Sequence, residues 1–505
     1  MKILLISPEY ENTFWNVKKV LKVVGKKAGY PPLALLTVAA MLPEQWEKKV
    51  IDMNCQPLKA EHIRWADYVF ISSIIGQKQS TKKIVKLLHK ANKIIIAGGS
   101  LFTTGGEDFP DIDTIVSGEA EEILPLLIKD METNNLKKKY AMVQYPAIGK
   151  SPIPAWNLIN LSYYNSMCVQ LSRGCPFDCE FCDVIQLNGR TVRMKSADQM
   201  ISELDYIYKL GWQGGVFFVD DNFIGNKAVI KKEILPALIK WQKDKKYPFI
   251  LSTQLSINLA DDLKLMKLMS EAGFSTVFIG IETPDPDGLQ ECGKLHNKNM
   301  DMLAAVKKMQ NMGFAVNAGF ILGFDSDKDT IFQSQIDFIQ KSGIVIAMVG
   351  LLNVSPKSRL HDRLKKAGRL VDEKDGNDKN VSELSDLNYI PKMNAGKLIA
   401  GYTSVLKTIY SPKFYFARVK IFLREYKPRK VAPPKIRFYH FRGMFSSLWY
   451  FGIKENGRHY YWNLILWSIF KKPGLLPYAI GLPLGLLDFK TLAWAKQYNS
   501  YFRES

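Results

Sequence analysis

Cysteine is scarce in this chain, and its scarcity excludes one class of protein. Six cysteines occur in 505 residues, and half of them lie within one stretch of eight positions. A disulfide framework would distribute paired cysteines through a short secreted chain. We therefore expect a reducing, intracellular setting, and the predicted localisation is cytoplasmic.

Long apolar runs are also missing. No stretch reaches the roughly 18 consecutive apolar residues that a membrane-spanning helix needs, so none is predicted. The opening run MKILLISPEY is too short for the apolar region of a signal peptide and is typical of a first strand. Hydrophobic residues nevertheless make up 47% of the chain, enough for two or three domains with cores of their own.

Acidic residues are outnumbered, which favours an anionic partner. The formal net charge is +20, and residues 413–442 hold ten Lys or Arg against one acid, Glu425. Eight aromatic residues are mixed with these basic ones. A lipid surface, nucleic acid or a phosphate-bearing molecule would each complement such a segment.

The first 150 residues alternate short apolar runs with helical patterns. KILLIS, KKVIDMN, DYVFISSI, NKIIIAGGS and DTIVSGE are predicted strands, with PLALLTVAAML and QSTKKIVKLLHKAN as helices between them. This rhythm predicts a doubly wound parallel sheet over 1–145, which binds ligands at the carboxyl ends of its strands. A proline-marked linker follows over 146–164.

A second series of strands and helices predicts an open, partial (β/α)6 barrel over 165–360. Its strands are MCVQLS, GVFFVD, FILSTQ, STVFIGIE, AVNAGFILG and IVIAMVGLL. Ser196 with Gln199 forms a capping-box pattern, and Asp262 and Gly273 are expected to start and stop a later helix. The basic, aromatic-rich remainder, 361–505, is predicted to be mostly helical, so the fold class is α/β with a helical C-terminal region.

Three cysteines without a fourth are the most informative motif. Cys175, Cys179 and Cys182 follow the strand MCVQLS directly, which places them in the first strand-end loop on the catalytic face of a barrel. A structural zinc would use four Cys or His ligands, and no His lies near. Isolated Cys55 and Cys292 are typical of small buried hydrophobes. Three thiolates would leave one iron of a 4Fe-4S cluster open to substrate or cofactor.

The CxxxCxxC loop after a first barrel strand resembles that of the radical S-adenosylmethionine (SAM) enzymes. The resemblance implies that the open iron binds SAM, and that one electron cleaves SAM to a radical able to take hydrogen from an unactivated carbon. It also implies that Phe181 lies against the adenine. Cys175, Cys179 and Cys182 are then the metal ligands and, with Asp220, the predicted catalytic residues.

Other SAM-site residues are implied by position. Asp220, Asp221 and Asn222 end the strand GVFFVD and resemble the stretch near the methionyl end of SAM; Asn222 could instead cap a helix. Glu282, at the end of STVFIGIE, resembles a contact to the SAM ribose. Weaker candidates are Ser256 and Asn258 after the third strand, and Gly319 and Gly323 near the adenine, where a strand bulge is the alternative.

The front domain looks like the cobalamin-binding domain of radical SAM methyltransferases. Ser72, Gln77, Gly98, Gly99 and the stretch GEAE (118–121) fall where the strand ends would cradle a corrin. One feature departs from the family's D-x-H-x-x-G motif, since this chain has Asn54 in place of the histidine. The cofactors implied are a 4Fe-4S cluster, SAM and cobalamin.

Several stretches, among them VQLSRGCPFDCEFCDV and GWQGGVFFVDDNFIGNK, resemble the branch that contains the hopanoid C-2 methylases. The resemblance implies methylation of an unactivated carbon on a hopanoid-like lipid, with an electron donor such as flavodoxin or ferredoxin. Two alternatives stay open: a cobalamin-independent radical SAM enzyme for ring formation, sulfur insertion or RNA modification, and a non-enzymatic iron–sulfur carrier or sensor.

The C-terminal region allows two interpretations that are compatible. Its basic and aromatic residues could rest on anionic headgroups, with the protein peripheral at the inner face of a membrane. They could also fold over the barrel mouth and bury the aromatics. RNA binding is disfavoured because no RNA-binding module accompanies them, so no nucleic-acid partner is expected.

Overall fold

The computed structural model describes residues 1–11, 17–371, 387–429 and 438–489. The chain divides into two compact units. The first consists of Met1–Asn16, Lys26–Cys175 and Val184–Asp221, and the second of Val17–Gly25, Pro176–Asp183 and Asn222–Ser505. The domain boundaries proposed from the sequence stay predictions.

The described residues form fourteen strands. These are β1 (Lys2–Ser7), β2 (Glu47–Asp52), β3 (Tyr68–Ser72), β4 (Ile94–Gly98), β5 (Thr114–Ser117), β6 (Lys139–Ala141), β7 (Ser166–Val169), β8 (Ser172–Arg173), β9 (Arg193–Met194), β10 (Gly214–Phe218), β11 (Phe249–Leu255), β12 (Phe274–Glu282), β13 (Ala315–Leu322) and β14 (Ala347–Leu351).

The same residues form twenty-two α-helices. These are α1 (Lys18–Val23), α2 (Leu33–Met41), α3 (Ala60–Trp65), α4 (Lys78–Lys90), α5 (Ser100–Gly105), α6 (Leu124–Glu132), α7 (Val184–Asn188), α8 (Ala197–Lys209), α9 (Lys227–Val229), α10 (Leu235–Asp244), α11 (Leu263–Ala272), α12 (Pro286–Glu291), α13 (Leu295–Lys298), α14 (Met302–Asn311), α15 (Ile331–Ser342), α16 (Arg359–Lys366), α17 (Ala395–Ile409), α18 (Pro412–Glu425), α19 (Phe438–Ser447), α20 (Arg458–Lys471), α21 (Leu476–Gly481) and α22 (Leu486–Phe489).

The first unit is built around a six-stranded parallel sheet of order β2-β1-β3-β4-β5-β6. All five strands predicted for this region are present, and β6 is an addition. Apolar side chains of β1, β3 and β4 are buried in its core, among them Leu4, Val69 and Ile95. The carboxyl ends of parallel strands meet at one edge, so the predicted ligand-binding loops lie together.

The first unit also contains the start of the second strand series. Strands β7 and β10 pair in parallel, and the short β8 and β9 pair antiparallel. Ser196 caps helix α8: its hydroxyl accepts from the Gln199 amide at 3.2 Å, while the Gln199 side chain accepts from the Ser196 amide. The predicted capping box is therefore confirmed.

The second unit contains the remaining strands of the series, with β11 to β14 paired in parallel in sequence order. All six strands predicted between 165 and 360 are thus observed. Asp262 caps α11 through the Leu265 amide at 2.9 Å, and Gly273 ends that helix in the left-handed region with φ 99°. Both helix-end predictions are confirmed.

The described part of the C-terminal region is helical, as predicted. Helices α17 and α18 pack on α15, and the buried Arg418 of α18 donates to the Gln340 side chain and to the carbonyls of Ile409 and Val345. Residues 372–386 of this region, and residues 430–437 of the basic segment 413–442, lie outside the described residues. Within the described ranges, no helix combines the length and apolar character required to cross a membrane.

Candidate functional site

A cavity of about 360 Å³ lies in the first unit. Most of its lining residues are apolar or glycine and come from α2, the carboxyl halves of β3 to β5, and α6. Of the predicted corrin-lining residues, Ser72, Gly98 and Gly99 line it. Its volume and apolar walls are typical of cofactor pockets, which span roughly 300–1,000 Å³.

Gln77 does not line this cavity. Its side-chain amide is buried and donates to the carbonyl of Pro8 at 2.6 Å, while its oxygen accepts from the Ile74 amide at 3.0 Å. Gln77 therefore holds together the loops that follow β1 and β3. The sequence alone does not reveal this role, because its two partners are identified only in the folded structure.

Gly99 is required where two of these loops pass close together. It has φ 102°, and a Cβ there would lie 2.5 Å from the carbonyl oxygen of Ser73. A side chain would be strained by both the backbone conformation and the contact. The Gly98–Gly99 turn thus leaves bare backbone at the cavity wall.

The polar part of the cavity wall belongs to an ion-pair network. The sequence predicted its acidic members, but not the arginines that pair with them. Glu119 and Glu121 belong to the predicted GEAE stretch, and Arg173 bonds Glu119 at 2.6 Å and Glu121 at 2.8 Å. Arg193 also donates to Glu119, at 2.9 Å. Burial opposes the charge of Arg173, but the two carboxylates more than offset it and raise its pKa. Arg173 lies two residues before Cys175, a position that could have marked it.

Asn54, which replaces the family's histidine, belongs to a hydrogen-bonded turn. Its amide and side chain both donate to Asp52, at 3.0 and 2.8 Å, and its side-chain oxygen accepts from the Tyr10 amide at 2.9 Å. Tyr164 donates to the other Asp52 oxygen at 3.0 Å. Asn54 is not among the cavity-lining residues, so it shapes the end of β2 and presents no ligand there.

The cysteine loop begins in the first unit at a constrained glycine. Gly174 has φ 97°, and a Cβ there would overlap the carbonyl oxygen of Thr191. Its amide donates to Asp221 at 2.7 Å, and Asn188 donates to the same carboxylate at 2.9 Å. The Cys175 amide donates to the carbonyl of Gly189 at 3.2 Å. Asp221 therefore anchors the residue immediately before the first cysteine.

The rest of the loop, 176–183, is held within the second unit. The Cys182 amide donates to the Cys179 carbonyl at 3.1 Å, which closes a turn between these two cysteines. Glu180 forms a two-point pair with Arg363, at 2.7 and 3.0 Å. The ring of Phe181 lies 6.3 Å from that of Phe324. Backbone and charge therefore fix this segment.

The six cysteines fall into two sets. Cys55, Cys168 and Cys292 are buried, and burial raises the pKa of each thiol to about 12, so they stay protonated. The three loop cysteines are partly exposed. Among the described residues, no group of three His, Cys, Asp or Glu side chains is arranged to hold a metal ion.

The predicted carboxylates after β10 have distinct partners. Asp220 is fully buried and accepts from the Ser172 hydroxyl and the Leu171 amide. Burial raises the pKa of Asp220 to about 7. Asn222, in the second unit, exchanges hydrogen bonds with Ser256, at 3.2 Å each.

The Asn222 helix-cap alternative is not observed, because Asn226 caps α9 instead, with its side chain accepting from Val229. The weaker candidates Ser256 and Asn258 are hydrogen-bonded to each other at 2.7 Å.

Glu282 ends β12 with φ 64° and forms a buried ion pair with Lys294. Burial opposes the charge of Lys294, but the electrostatic effects of Glu282 and then of Cys179 raise its pKa. A Cβ at Gly280 would overlap this pair, so a side chain there would displace it. Lys294 was missed because nothing in the local sequence marks it as the partner of a strand-end acid.

Two further glycines have local structural reasons. Gly323 has φ 111°, and a Cβ there would lie 2.5 Å from the Tyr389 hydroxyl, which donates to the Gly323 carbonyl at 2.6 Å. A Cβ added at Gly319 would lie 3.3 Å from the ring of Phe278. Packing within the second unit thus accounts for both, and their predicted proximity to adenine stays a prediction.

Three family models match the chain. The B12 binding domain matches residues 20–128, the Radical SAM superfamily residues 169–339, and a domain of unknown function, DUF4070, residues 358–493. An uncharacterised methyltransferase of Synechocystis sp. is 35% identical over 486 residues, which cover 95% of this chain and 90% of the relative. Hopanoid C-2 methylase of Rhodopseudomonas palustris is 31% identical, covering 92% and 89%.

Solved structures share the fold. The radical SAM methyltransferase TsrM from Kitasatospora setae, with cobalamin and a [4Fe-4S] cluster bound, superposes with a TM-score of 0.65 at 12% identity over 99% of both chains. The cobalamin-dependent SAM radical enzyme OxsB gives 0.63 at 15% identity, over 99% of this chain and 80% of its own.

This chain belongs to the cobalamin-binding-domain radical SAM methyltransferase family. It is a methyltransferase whose cofactors are a 4Fe-4S cluster, SAM and cobalamin. The cobalamin-independent and electron-carrier alternatives are thereby set aside. The residue types present fit these groups: Cys175, Cys179 and Cys182 are partly exposed and carry the sulfur donors that an iron–sulfur cluster requires. The first unit offers an apolar cavity with bare backbone at Gly98–Gly99.

Proposed function

We propose that this enzyme transfers a methyl group to an unactivated carbon of a hopanoid-like lipid. The observation that carries the proposal is the 31% identity to hopanoid C-2 methylase over 92% of this chain. Hopanoid C-3 methylase of Methylococcus capsulatus, 27% identical over 43% of the chain, supports the same substrate class.

Cys175, Cys179 and Cys182 hold the cluster in this proposal. When bound, the cluster and SAM supply a hydrogen-abstracting radical, and cobalamin supplies the methyl group. Gly174 and Asp221 are positioning residues, because their hydrogen bond fixes the backbone immediately before Cys175. Cys179 and Cys182 are positioned by their shared turn.

The SAM-side residues divide into contacts and supports. Phe181 and Glu282 contact SAM in this proposal, with Lys294 holding the Glu282 carboxylate in place. Asp220 and Asn222 act through their neighbours, since their oxygens are already engaged by the β7–β8 segment and by the loop after β11.

Ser72, Gly98 and Gly99 line the corrin cavity, while Gln77 supports it by joining two strand-end loops. Asn54 offers no imidazole to cobalt, and its side chain is held in the turn after β2. When bound, cobalamin would therefore take no protein ligand from Asn54.

Two partners complete the proposal. Reductive cleavage of SAM needs single electrons, which a flavodoxin or ferredoxin would deliver. A lipid substrate favours a peripheral position at the inner face of the membrane, with the basic C-terminal region as the contact. A nucleic-acid partner is not expected.

The test is anaerobic incubation of the reconstituted enzyme with cobalamin, a reductant, a hopanoid and SAM that carries a deuterated methyl group. We expect 5′-deoxyadenosine and a hopanoid that contains the labelled methyl. Cys179→Ala should lose both products while the first unit stays folded by circular dichroism. If 5′-deoxyadenosine forms but no hopanoid is labelled, the substrate class is wrong.

A further inference from the structure

Exposed apolar side chains are concentrated in one part of the C-terminal region. Of the twenty-five large apolar side chains that are exposed in the described residues, nine lie between residues 441 and 478. Most follow helical spacing on two segments: Phe441, Phe445, Trp449 and Ile453 on α19 and the π-helical turn Leu448–Lys454, and Trp462, Leu466, Ile469 and Phe470 on α20. We call these eight side chains the aromatic face.

The opposite sides of the same helices are packed. Ser447 and Phe451 are buried on the first segment, and Tyr461, Leu464, Ile465 and Ser468 are buried on α20. The Ser447 hydroxyl donates to the Ile480 carbonyl at 2.6 Å. The two segments are joined where the Trp462 indole donates to the Gly452 carbonyl at 2.9 Å. The aromatic face is therefore the outer side of an ordered helical layer.

The charges around this face are mostly positive. Arg442, Lys454, Arg458 and Lys471 are exposed on the same segments. The only acids in 438–489 are Glu455 and Asp488. Asp488 is buried and accepts from the amides of Lys19 and Val20 at the start of α1. An anionic partner is what this arrangement complements.

Apolar aromatic side chains rimmed by Lys and Arg are the features of helices that lie in a membrane interface. A symmetric dimer through the same face would bring two basic rims together, which like-charge repulsion disfavours. We infer that the aromatic face docks this enzyme on an anionic lipid bilayer. This gives the region matched by DUF4070 a role, and it deepens the proposed function because a membrane-dissolved substrate would then lie beside the enzyme.

The experiment measures co-sedimentation of the full chain with phosphatidylglycerol or phosphatidylcholine vesicles, without SAM or reductant. The first variant is Trp449→Glu with Phe470→Glu, at side chains 58% and 78% exposed. The control is Leu87→Glu on α4 of the first unit, 48% exposed. Each aromatic side chain buried in the bilayer should strengthen vesicle binding by about tenfold or more. The double variant should therefore bind at least tenfold more weakly than wild type, while the control binds as wild type does.

A second variant tests the charges. Lys454→Gln with Lys471→Gln should weaken binding to phosphatidylglycerol vesicles by about 25-fold, since each basic residue contributes about fivefold near an anionic surface. Binding to phosphatidylcholine vesicles should change little. A thermal unfolding midpoint equal to that of wild type will show that the helices of each variant are intact.

The proposal is overturned if wild type fails to sediment with anionic vesicles, or if the aromatic variant binds as well as Leu87→Glu. It is also overturned if light scattering shows a wild-type dimer that the aromatic variant dissociates, because a second copy then covers the face. Vesicle binding without hopanoid methylation would refute the proposed substrate and leave the docking surface standing. Hopanoid methylation without vesicle binding would refute the docking surface and support the proposed substrate.

Discussion

Replacing Gly174 by alanine tests whether backbone geometry sets the position of Cys175, the first of the three proposed cluster ligands. The residue has φ 97°, and an added Cβ would overlap the Thr191 carbonyl oxygen and lie 3.1 Å from that of Gly189. Both neighbours are backbone atoms of the same loop, and Gly189 already accepts from the Cys175 amide. The methyl group can be accommodated only if the loop moves.

The expected cost has two parts. A left-handed conformation costs an L-residue about 1–2 kcal/mol, and overpacking against fixed atoms adds about 1–3 kcal/mol. A total of about 2–5 kcal/mol is comparable to a large part of the stability of a domain, about 5–15 kcal/mol. The enzyme should still fold, but with the Cys175 backbone displaced.

The assay is iron and sulfide content after anaerobic reconstitution, together with the thermal midpoint. Gly211→Ala is the matched control, because Gly211 has φ 88° and no atom within 4 Å of the added Cβ. The control should lose about 1–2 kcal/mol and retain its cluster, whereas Gly174→Ala should lose more stability and most of its iron. Equal midpoints and full iron in both variants would refute the argument that contact at Thr191 fixes the loop.

Three further outcomes follow from buried charges. Because burial raises the pKa of Asp220 from 3.8 to about 7, folding favours its protonated form, so the free energy of unfolding should fall as pH rises through this window; Asp220→Asn should flatten that slope in urea titrations. Glu119→Gln leaves Arg173 and Arg193, each 14% exposed, underpaired and should cost about 3–5 kcal/mol in urea unfolding. Glu122→Gln, in an exposed pair with Lys150, should cost less than about 1 kcal/mol, and equal losses would contradict the network. Lys294→Met leaves Glu282 buried without its cation and should lower the thermal midpoint and weaken SAM binding by calorimetry; unchanged SAM affinity would remove this pair from the SAM site.

The fold was predictable because its signals are local. Alternating strands and helices, the cap at Ser196 and the stop at Gly273 are each written within a few residues, and the structure confirms them. The three-residue β6 and the two-residue β8 and β9 were not predicted, since so short a stretch carries no periodicity.

The sequence predicted which residue types form the candidate site, but not which residues they bond to. The cysteine spacing and the strand-end acids could be read directly from the sequence, yet the partners of those acids are distant in the chain. Asp221 bonds Gly174, 47 residues earlier, and Arg173 meets Glu119 across 54 residues. Such contacts depend on which loops the sheet brings together, and a single sequence does not contain that information.

Within the first unit, these distant contacts connect the cavity wall at Glu119 to the first cysteine of the loop, Cys175. Glu119 lines the cavity and bonds Arg173; Arg173 is followed by Gly174, whose amide is held by Asp221, and Cys175 comes next. A shift of the cavity wall at Glu119 would therefore reach the first cysteine through one ion pair and two peptide units. Because Arg173 pairs with both Glu119 and Glu121 while Asp221 holds the Gly174 amide, the fold itself couples this cavity wall to the backbone of Cys175.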